Sequence, residues 1–292
     1  MLDEPMPPTR KIYYATGKAF KGKTVAREEG STETMPKEQN LAAKREKKFE
    51  VKLTDFGMMG FGYLLGGGFP TDSVYLLTGE PGTFYPTFAQ QALYNAVNKG
   101  QKVVYYTAEA GSEDIQQDMA TFRWDLDSHI DNGTWIFTRV VPPQLKAIVS
   151  DAPEDPREQR VDLLPNSISA LQQDFVERLM ESRWSAISLS YLMKCYPAQE
   201  ITDFVMFMVN AAHKMGGVHF ILLPGGVHDE AMINNIKSLV DGVLSFKFAQ
   251  GFEQAEGEIE IQKLRRVIPK LKVIRHVVQD TGIEIETTAR VG

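Results

Sequence analysis

The sequence predicts an α/β fold in which a mainly parallel central sheet carries helices on both faces and antiparallel C-terminal strands extend one edge. Three observations predict it. Short, nearly continuous apolar runs recur after residue 70, and strands covered on both faces read that way. Amphipathic stretches of helical length separate these runs, as in βαβ units. After residue 240 the pattern shifts to strand-like segments joined by turn residues, the mark of antiparallel pairing.

Taken in order, "SVYLLTG" (73–79) is a buried strand and "TFAQQALYNAVNKG" (87–100) an amphipathic helix ending at Gly100. "KVVYYTA" (102–108) is the next strand, "SEDIQQDMATFRW" (112–124) the next helix and "TWIFTRVV" (134–141) a further strand. Residues 142–165 are Pro-rich and charged, and are expected to form a loop or insertion with little structure of its own. "SISALQQDFVERLMESR" (167–183) is a helix, "WSAISLS" (184–190) a strand, "EITDFVMFMVNAAHKMGG" (200–217) a helix and "VHFILLP" (218–224) a strand. "DEAMINNIKSLV" (229–240) follows as a helix with Asp229 as its cap. "DGVLSFKF", "EGEIEIQKLRR" and "KVIRHVVQDTGIEIETT" then give antiparallel strands, with turns expected at Gly257 and at Asp280–Gly282.

Residues 1–48 read differently. They are rich in Pro, Gly, Lys, Glu and Thr and poor in branched apolar residues, so they bury too little surface to offset the entropy of ordering. The expectation is a flexible tail on a domain spanning 49–292, with Tyr13, Tyr14 and Phe20 as anchors if the tail docks on a partner. Residues 1–50 hold 11 Lys+Arg against 8 Asp+Glu, a balance of +3; the whole chain is at −6, which leaves −9 on the rest. An acidic body argues against a broad nucleic-acid surface, which needs clustered cations.

Other classes are excluded by what is missing. No run of about 18 apolar residues predicts a membrane-spanning helix, and the N-terminus lacks the apolar core of a secretory signal. The single cysteine, Cys195, allows no internal disulfide, and a reduced, cytoplasmic setting is expected. The five histidines, His129, His213, His219, His228 and His276, show no metal-ligand spacing. No Ser-His-Asp order, nucleophile elbow or GxGxxG is present.

The informative stretch is "TGEPGTFYPT" (78–87), set between a strand and a helix. Strand, Gly-rich turn and helix are the frame of a phosphate-binding loop. With "LLGGGFPTDSVYLLTGEPGT" (64–83), "VVYYTAE" (103–109), "SEDI" (112–115), "WSAISLSYL" (184–192), "VDGVLSF" (240–246) and "EIQKLRR" (260–266), the chain resembles the KaiC-like branch of the RecA-type P-loop ATPases over about residues 51–290. The resemblance implies a RecA-like core, ATP and Mg²⁺ binding, and ring or filament assembly with nucleotide at subunit interfaces. It also implies that Lys263 and Arg265 match a K-x-R element that reaches a neighbouring subunit's phosphates; the alternative is a pair of exposed strand cations partnered by Glu258 or Glu260.

The departures from the motif decide the expected function. A phosphate loop reads G-x-x-x-x-G-K-[ST]. Gly79, Glu80, Pro81, Gly82 and Thr83 fit its first five positions, but Phe84, Tyr85 and Pro86 replace the second glycine, the lysine and the metal-binding hydroxyl. A benzyl side chain is expected to obstruct the glycine's backbone conformation, the cation is gone, and Pro removes an N–H donor. Thr87 supplies a hydroxyl one position late. Where the family's second motif carries Asp the aligned residue is Ile187. Of two acidic residues after "VVYYTA", Glu109 is kept and the second is Ala110. The sequence therefore predicts a KaiC-like pseudo-ATPase with a vestigial Glu109 and no ATP, Mg²⁺ or other cofactor, working through protein partners such as an active KaiC-like paralogue, its own copies, or a partner of the tail. The alternatives are a nucleotide sensor that binds without hydrolysis, for which Gly79–Thr83 and Thr87 are the contacts, and a nucleic-acid or recombination accessory factor.

Overall fold

The computed structural model describes residues 50–141, 161–165, 167–249 and 256–286. The expected tail and its docking anchors lie outside these residues. Every element below belongs to the unit Leu53–Gly292.

A ten-stranded sheet runs through this unit. In chain order its strands are β3 (Ser73–Gly79), β4 (Val103–Thr107), β5 (Trp135–Val141), β6 (Val161–Pro165), β7 (Trp184–Ser188), β8 (Val218–Pro224), β9 (Gly242–Phe248), β10 (Glu256–Leu264), β11 (Val273–Gln279) and β12 (Gly282–Ile285). Two short strands, β1 (Leu53–Thr54) and β2 (Phe69–Pro70), pair separately. Across the sheet the order is β12-β11-β10-β9-β3-β8-β7-β4-β5-β6. From β9 to β6 all pairings are parallel, and β10, β11 and β12 add antiparallel strands. This is the expected α/β architecture. Strand β3 lies inside the parallel part, fully buried along its length, and its tip is held between β8 and β9.

Helices cover both faces. Helix α2 (Tyr85–Asn98) packs on one, where Phe88, Ala92 and Leu93 meet Tyr75, Leu77, Phe220 and Phe246. Phe56 and Phe69 stack at 4.2 Å within this layer, beside α1 (Phe61–Leu64), and α3 (Ser112–Ala120) and α4 (Asp127–Asp131) complete it. On the other face α5 (Ile168–Leu179), α6 (Ser190–Cys195), α7 (Ala198–Met215) and α8 (Glu230–Leu239) enclose Val74, Leu76, Ile221 and Val243. Strand alternation splits β3 between these layers, with Tyr75 and Leu77 on one and Val74 and Leu76 on the other.

Two sequence expectations are corrected. The stretch 142–165, expected as a loop or insertion, contains a strand: Val161–Pro165 pairs in parallel with β5 as the sheet's edge strand, where a terminal Pro is tolerated. Gly257 is not a turn. It lies inside β10, paired with Phe248 and His276, and a Cβ there would sit 2.5 Å from the His276 ring. Glycine is needed for close approach rather than for chain reversal. The turn at Asp280–Gly282 does join β11 to β12, and Asp229 does cap α8, accepting from the Met232 N–H at 3.0 Å.

Two histidines are buried in uncharged form. His219 meets the Ser185 hydroxyl at 2.9 Å, and burial lowers its pKa to about 4. His276 is lowered to about 4 by burial, and its Nδ1 has no partner among the described residues. Unfolded chains take up protons at these histidines near pH 6.5 while the folded protein does not, so stability is full above that pH and is lost as pH falls toward 4. The expected loss is about 3 kcal/mol for each site. Urea midpoints at pH 7 and pH 4.5 measure it; a slope unchanged in His276→Leu would remove His276 from the account.

Candidate functional site

The site begins where β3 ends. At Gly79 a Cβ would collide with the Thr83 hydroxyl and come 2.9 Å from the Phe246 carbonyl. Residues 80–83 form a tight turn. The Thr83 N–H donates to the Glu80 carbonyl at 3.2 Å and the Thr83 hydroxyl to the same oxygen at 2.7 Å. Pro81 followed by Gly82 at φ +87° is the sequence and backbone signature of a type II turn. The Gly225 N–H, from the loop after β8, holds the Gly79 carbonyl at 2.8 Å.

Phe84 then adopts φ 60°, ψ 19°, the left-handed conformation. This corrects the expected obstruction: the benzyl side chain does not prevent the conformation a glycine takes most easily. It packs against the aromatic layer instead, and that contact offsets a strain of about 1 kcal/mol. Helix α2 starts at Tyr85, with Pro86 in its first turn, where a missing N–H costs little. Thr87 lies in the same turn, half-buried.

Beside this turn is a cleft of about 240 Å³, lined from α2 by Tyr85, Pro86 and Gln90, from β4 and its following loop by Tyr105, Thr107 and Glu109, and also by Asp118 and Ser188. The Tyr85 phenol is pushed up to about 12, first by burial and then by the Glu109 charge, so it is neutral at pH 7. Glu109 accepts from the Ser188 hydroxyl at 3.3 Å and faces Lys194 Nζ at 3.7 Å. Ser190 meets His228 Nε2 at 2.8 Å, and burial, then Lys194, hold that histidine below its ordinary pKa.

Two expected positions fall elsewhere than the sequence indicated. Ile187 is 3 % exposed in the opposite layer; the side chain that β7 turns to the cleft is Ser188. Lys263 and Arg265 do not pair with Glu258 or Glu260, which face Arg275 at 3.6 Å and Lys247 at 2.6 Å. A bulge between Ile261 and Lys263 shifts the register of β10, and Lys263 Nζ donates to the carbonyls of Lys237 at 3.0 Å and Ser238 at 2.7 Å. A cation at these last carbonyls of α8 complements the helix dipole. Arg265 reaches the buried Asp241 at 3.4 Å. Sequence reasoning missed Thr107, Asp118 and Lys194. Thr107 ends β4 two residues before Glu109, on the side of the strand that Tyr105 shares, and that proximity was the available signal.

Among the described residues no three His, Cys, Asp or Glu side chains form a metal-sized group, and no helix is long and apolar enough to cross a membrane.

A parallel sheet with a turn of this kind between its central strand and the next helix defines the class of RecA-type P-loop proteins. The chain belongs to the KaiC ATPase family, whose model matches residues 54–290. Circadian clock protein KaiC3 of Synechocystis is 30% identical over 219 residues, 74% of this chain and 41% of KaiC3. The circadian clock oscillator protein KaiC of Thermosynechococcus vestitus is 26% identical over 239 residues, 80% of this chain and 42% of KaiC. A UPF0273 protein of Pyrococcus furiosus is 35% identical over 83 residues, 28% of this chain and 34% of that protein. The chain thus spans well under half the length of each of these relatives. The crystal structure of a KaiC-like protein from Pyrococcus horikoshii superposes with a TM-score of 0.61 at 19% identity, covering 81% of this chain and 99% of that one, which supports the fold.

Proposed function

We propose that this chain is a KaiC-like pseudo-ATPase that acts through protein–protein contacts, as a regulatory or scaffolding element. The observation that carries the reading is the residue set at the start of α2. Phe84 and Tyr85 pack into the aromatic layer, and Pro86 has neither hydroxyl nor N–H. The cleft beside them is lined by two carboxylates, Glu109 and Asp118, and by no Lys, Arg or His. These residues do not fit a metal-bound triphosphate. Loss of one preorganised charge costs about 3–4 kcal/mol of transition-state stabilisation, roughly 10²–10³ in rate. Here the cation, the hydroxyl and the second carboxylate are replaced together. Its partner is an active KaiC-like paralogue or a second copy of this chain. A contact in trans by Lys263 or Arg265 would require each to leave its partner within the chain.

The test is phosphate release from MgATP by the purified full-length protein. The expected rate equals that of Glu109→Gln and of buffer; turnover that Glu109→Gln abolishes overturns the reading. A second reading, a nucleotide sensor without hydrolysis, is favoured by the Gly-rich turn after β3 and by the left-handed Phe84, which holds a conformation that a glycine takes most easily. It predicts a melting temperature that rises with ATP or ADP, and no rise at millimolar nucleotide removes it.

A further inference from the structure

The cleft between α2 and the tip of β4 has lost what an anion needs and holds what a cation needs. Its ionisable lining, apart from phenols, is Glu109 and Asp118. Pro86 brings no N–H to the first turn of α2, and no Lys, Arg or His lines the cleft. Tyr85 and Tyr105 also line the wall.

An independent observation points to an occupant. Thr107 lines the cleft and is 3 % exposed, and its hydroxyl has no hydrogen-bond partner among the described residues. Buried hydroxyls without partners are uncommon and costly. Glu109 at the rim already draws an ammonium, Lys194, to a loose 3.7 Å.

We infer that this cleft binds a guanidinium or primary ammonium cation, held between the Glu109 and Asp118 carboxylates and the Thr107 hydroxyl, in the place where the family pattern would set a phosphate-binding cation. The inference rests on the pseudo-ATPase reading. The cation is either a free small molecule or the side chain of an arginine or lysine on a partner protein; the chemistry is the same. A volume of about 240 Å³ accepts a guanidinium with its alkyl stem.

The experiment is calorimetric titration of the full chain with agmatine, with N-butylurea as neutral analogue and the capped peptide acetyl-Gly-Arg-Gly-amide as protein mimic. Agmatine is expected to bind at micromolar to millimolar concentration and N-butylurea not to bind. Peptide binding equal to agmatine assigns the site to a partner's side chain; agmatine alone assigns it to a free cation. Both outcomes support the site. Affinity is expected to fall about tenfold or more in Glu109→Gln and in Asp118→Asn. Thr107→Val keeps the shape and removes the unpartnered hydroxyl, so it is expected to fold at least as stably as the parent while binding agmatine more weakly. No heat with agmatine at millimolar concentration overturns the inference, as does agmatine binding unchanged in the Glu109→Gln/Asp118→Asn double variant. ATP turnover by the parent overturns the pseudo-ATPase reading and this inference with it. A chain with neither turnover nor agmatine binding overturns only this one.

Discussion

Asp241→Ala is expected to destabilise the protein by about 3 kcal/mol, the scale of a broken buried charge network. Asp241 is 2 % exposed and stands just before β9. Its carboxylate accepts from the buried Val74 N–H at 3.1 Å and lies 2.9 Å from His213 Nε2, 3.4 Å from Arg265 and 3.7 Å from Arg266. Its own N–H donates to the Val74 carbonyl at 2.9 Å, and its carbonyl accepts from the Arg265 N–H at 2.9 Å. One residue therefore joins the starts of β3 and β9 to the end of β10 and to α7. In the alanine variant the backbone bonds survive, but the Val74 N–H is stranded in an apolar layer and the cations lose their counter-ion. The cations are half-exposed and return to water, which keeps the cost below that of a fully enclosed ion pair. Asp241→Asn keeps an acceptor for Val74 and is expected to cost about half as much. Urea midpoints at constant m-value measure both; an alanine variant within about 0.5 kcal/mol of the parent, the scale of an ordinary surface substitution, would show that the network does not tie these strands together.

The parallel core was legible because burial on two faces writes itself into composition. "SVYLL", "VVYY" and "FILL" have no polar break, and only covered strands tolerate that. The edges were harder. Strand β6 closes a charged, Pro-rich stretch, and a five-residue edge strand carries little pattern of its own. Gly257 misled because glycine serves turns and close approaches alike; the His276 ring that fills its missing side chain lies some 19 positions away in sequence. The short helices α4 and α6 span five and six residues, less than two turns, too few for a 3.6-residue period to show.

At the site, residue types were legible and directions were not. The replaced loop positions could be read directly from "TFYPT". That Phe84 keeps a glycine's backbone conformation could not, because it depends on an aromatic layer assembled from Phe56, Phe61, Phe69 and Phe88 across distant elements. Ile187 and Ser188 are neighbours in sequence but belong to opposite faces of β7, so a one-residue step decides which one meets the cleft. The pairing of Lys263 with Glu258 or Glu260 failed for a related reason: a bulge changes the register within β10, and Lys263 reaches the carbonyls at the end of α8 instead.

The triple variant Phe84→Gly, Tyr85→Lys, Pro86→Thr is expected to gain MgATP binding by at least about 100-fold over the parent, the scale of restored charge-assisted contacts. The backbone path argues for this. The type II turn at residues 80–83 and the left-handed conformation of Phe84 already stand in place, so the first substitution fits without rearrangement and relieves about 1 kcal/mol of strain. The second supplies the missing cation, and the third restores a hydroxyl and an N–H to the first turn of α2. Against these gains, the aromatic layer loses two packed side chains, Phe84 and Tyr85, and the apo variant is expected to be less stable than the parent by a few kcal/mol. Nucleotide offsets that loss by mass action, about 2.7 kcal/mol at a hundredfold excess over Kd. The variant should therefore melt lower than the parent without nucleotide and rise with MgATP, while the parent stays flat. Hydrolysis is not expected to return, because Ile187 faces the opposite layer and Ala110 has no carboxylate. A folded triple variant whose melting temperature ignores millimolar MgATP would mean that residues 84–86 are not what separates this chain from nucleotide, and the proposed function would lose its physical basis.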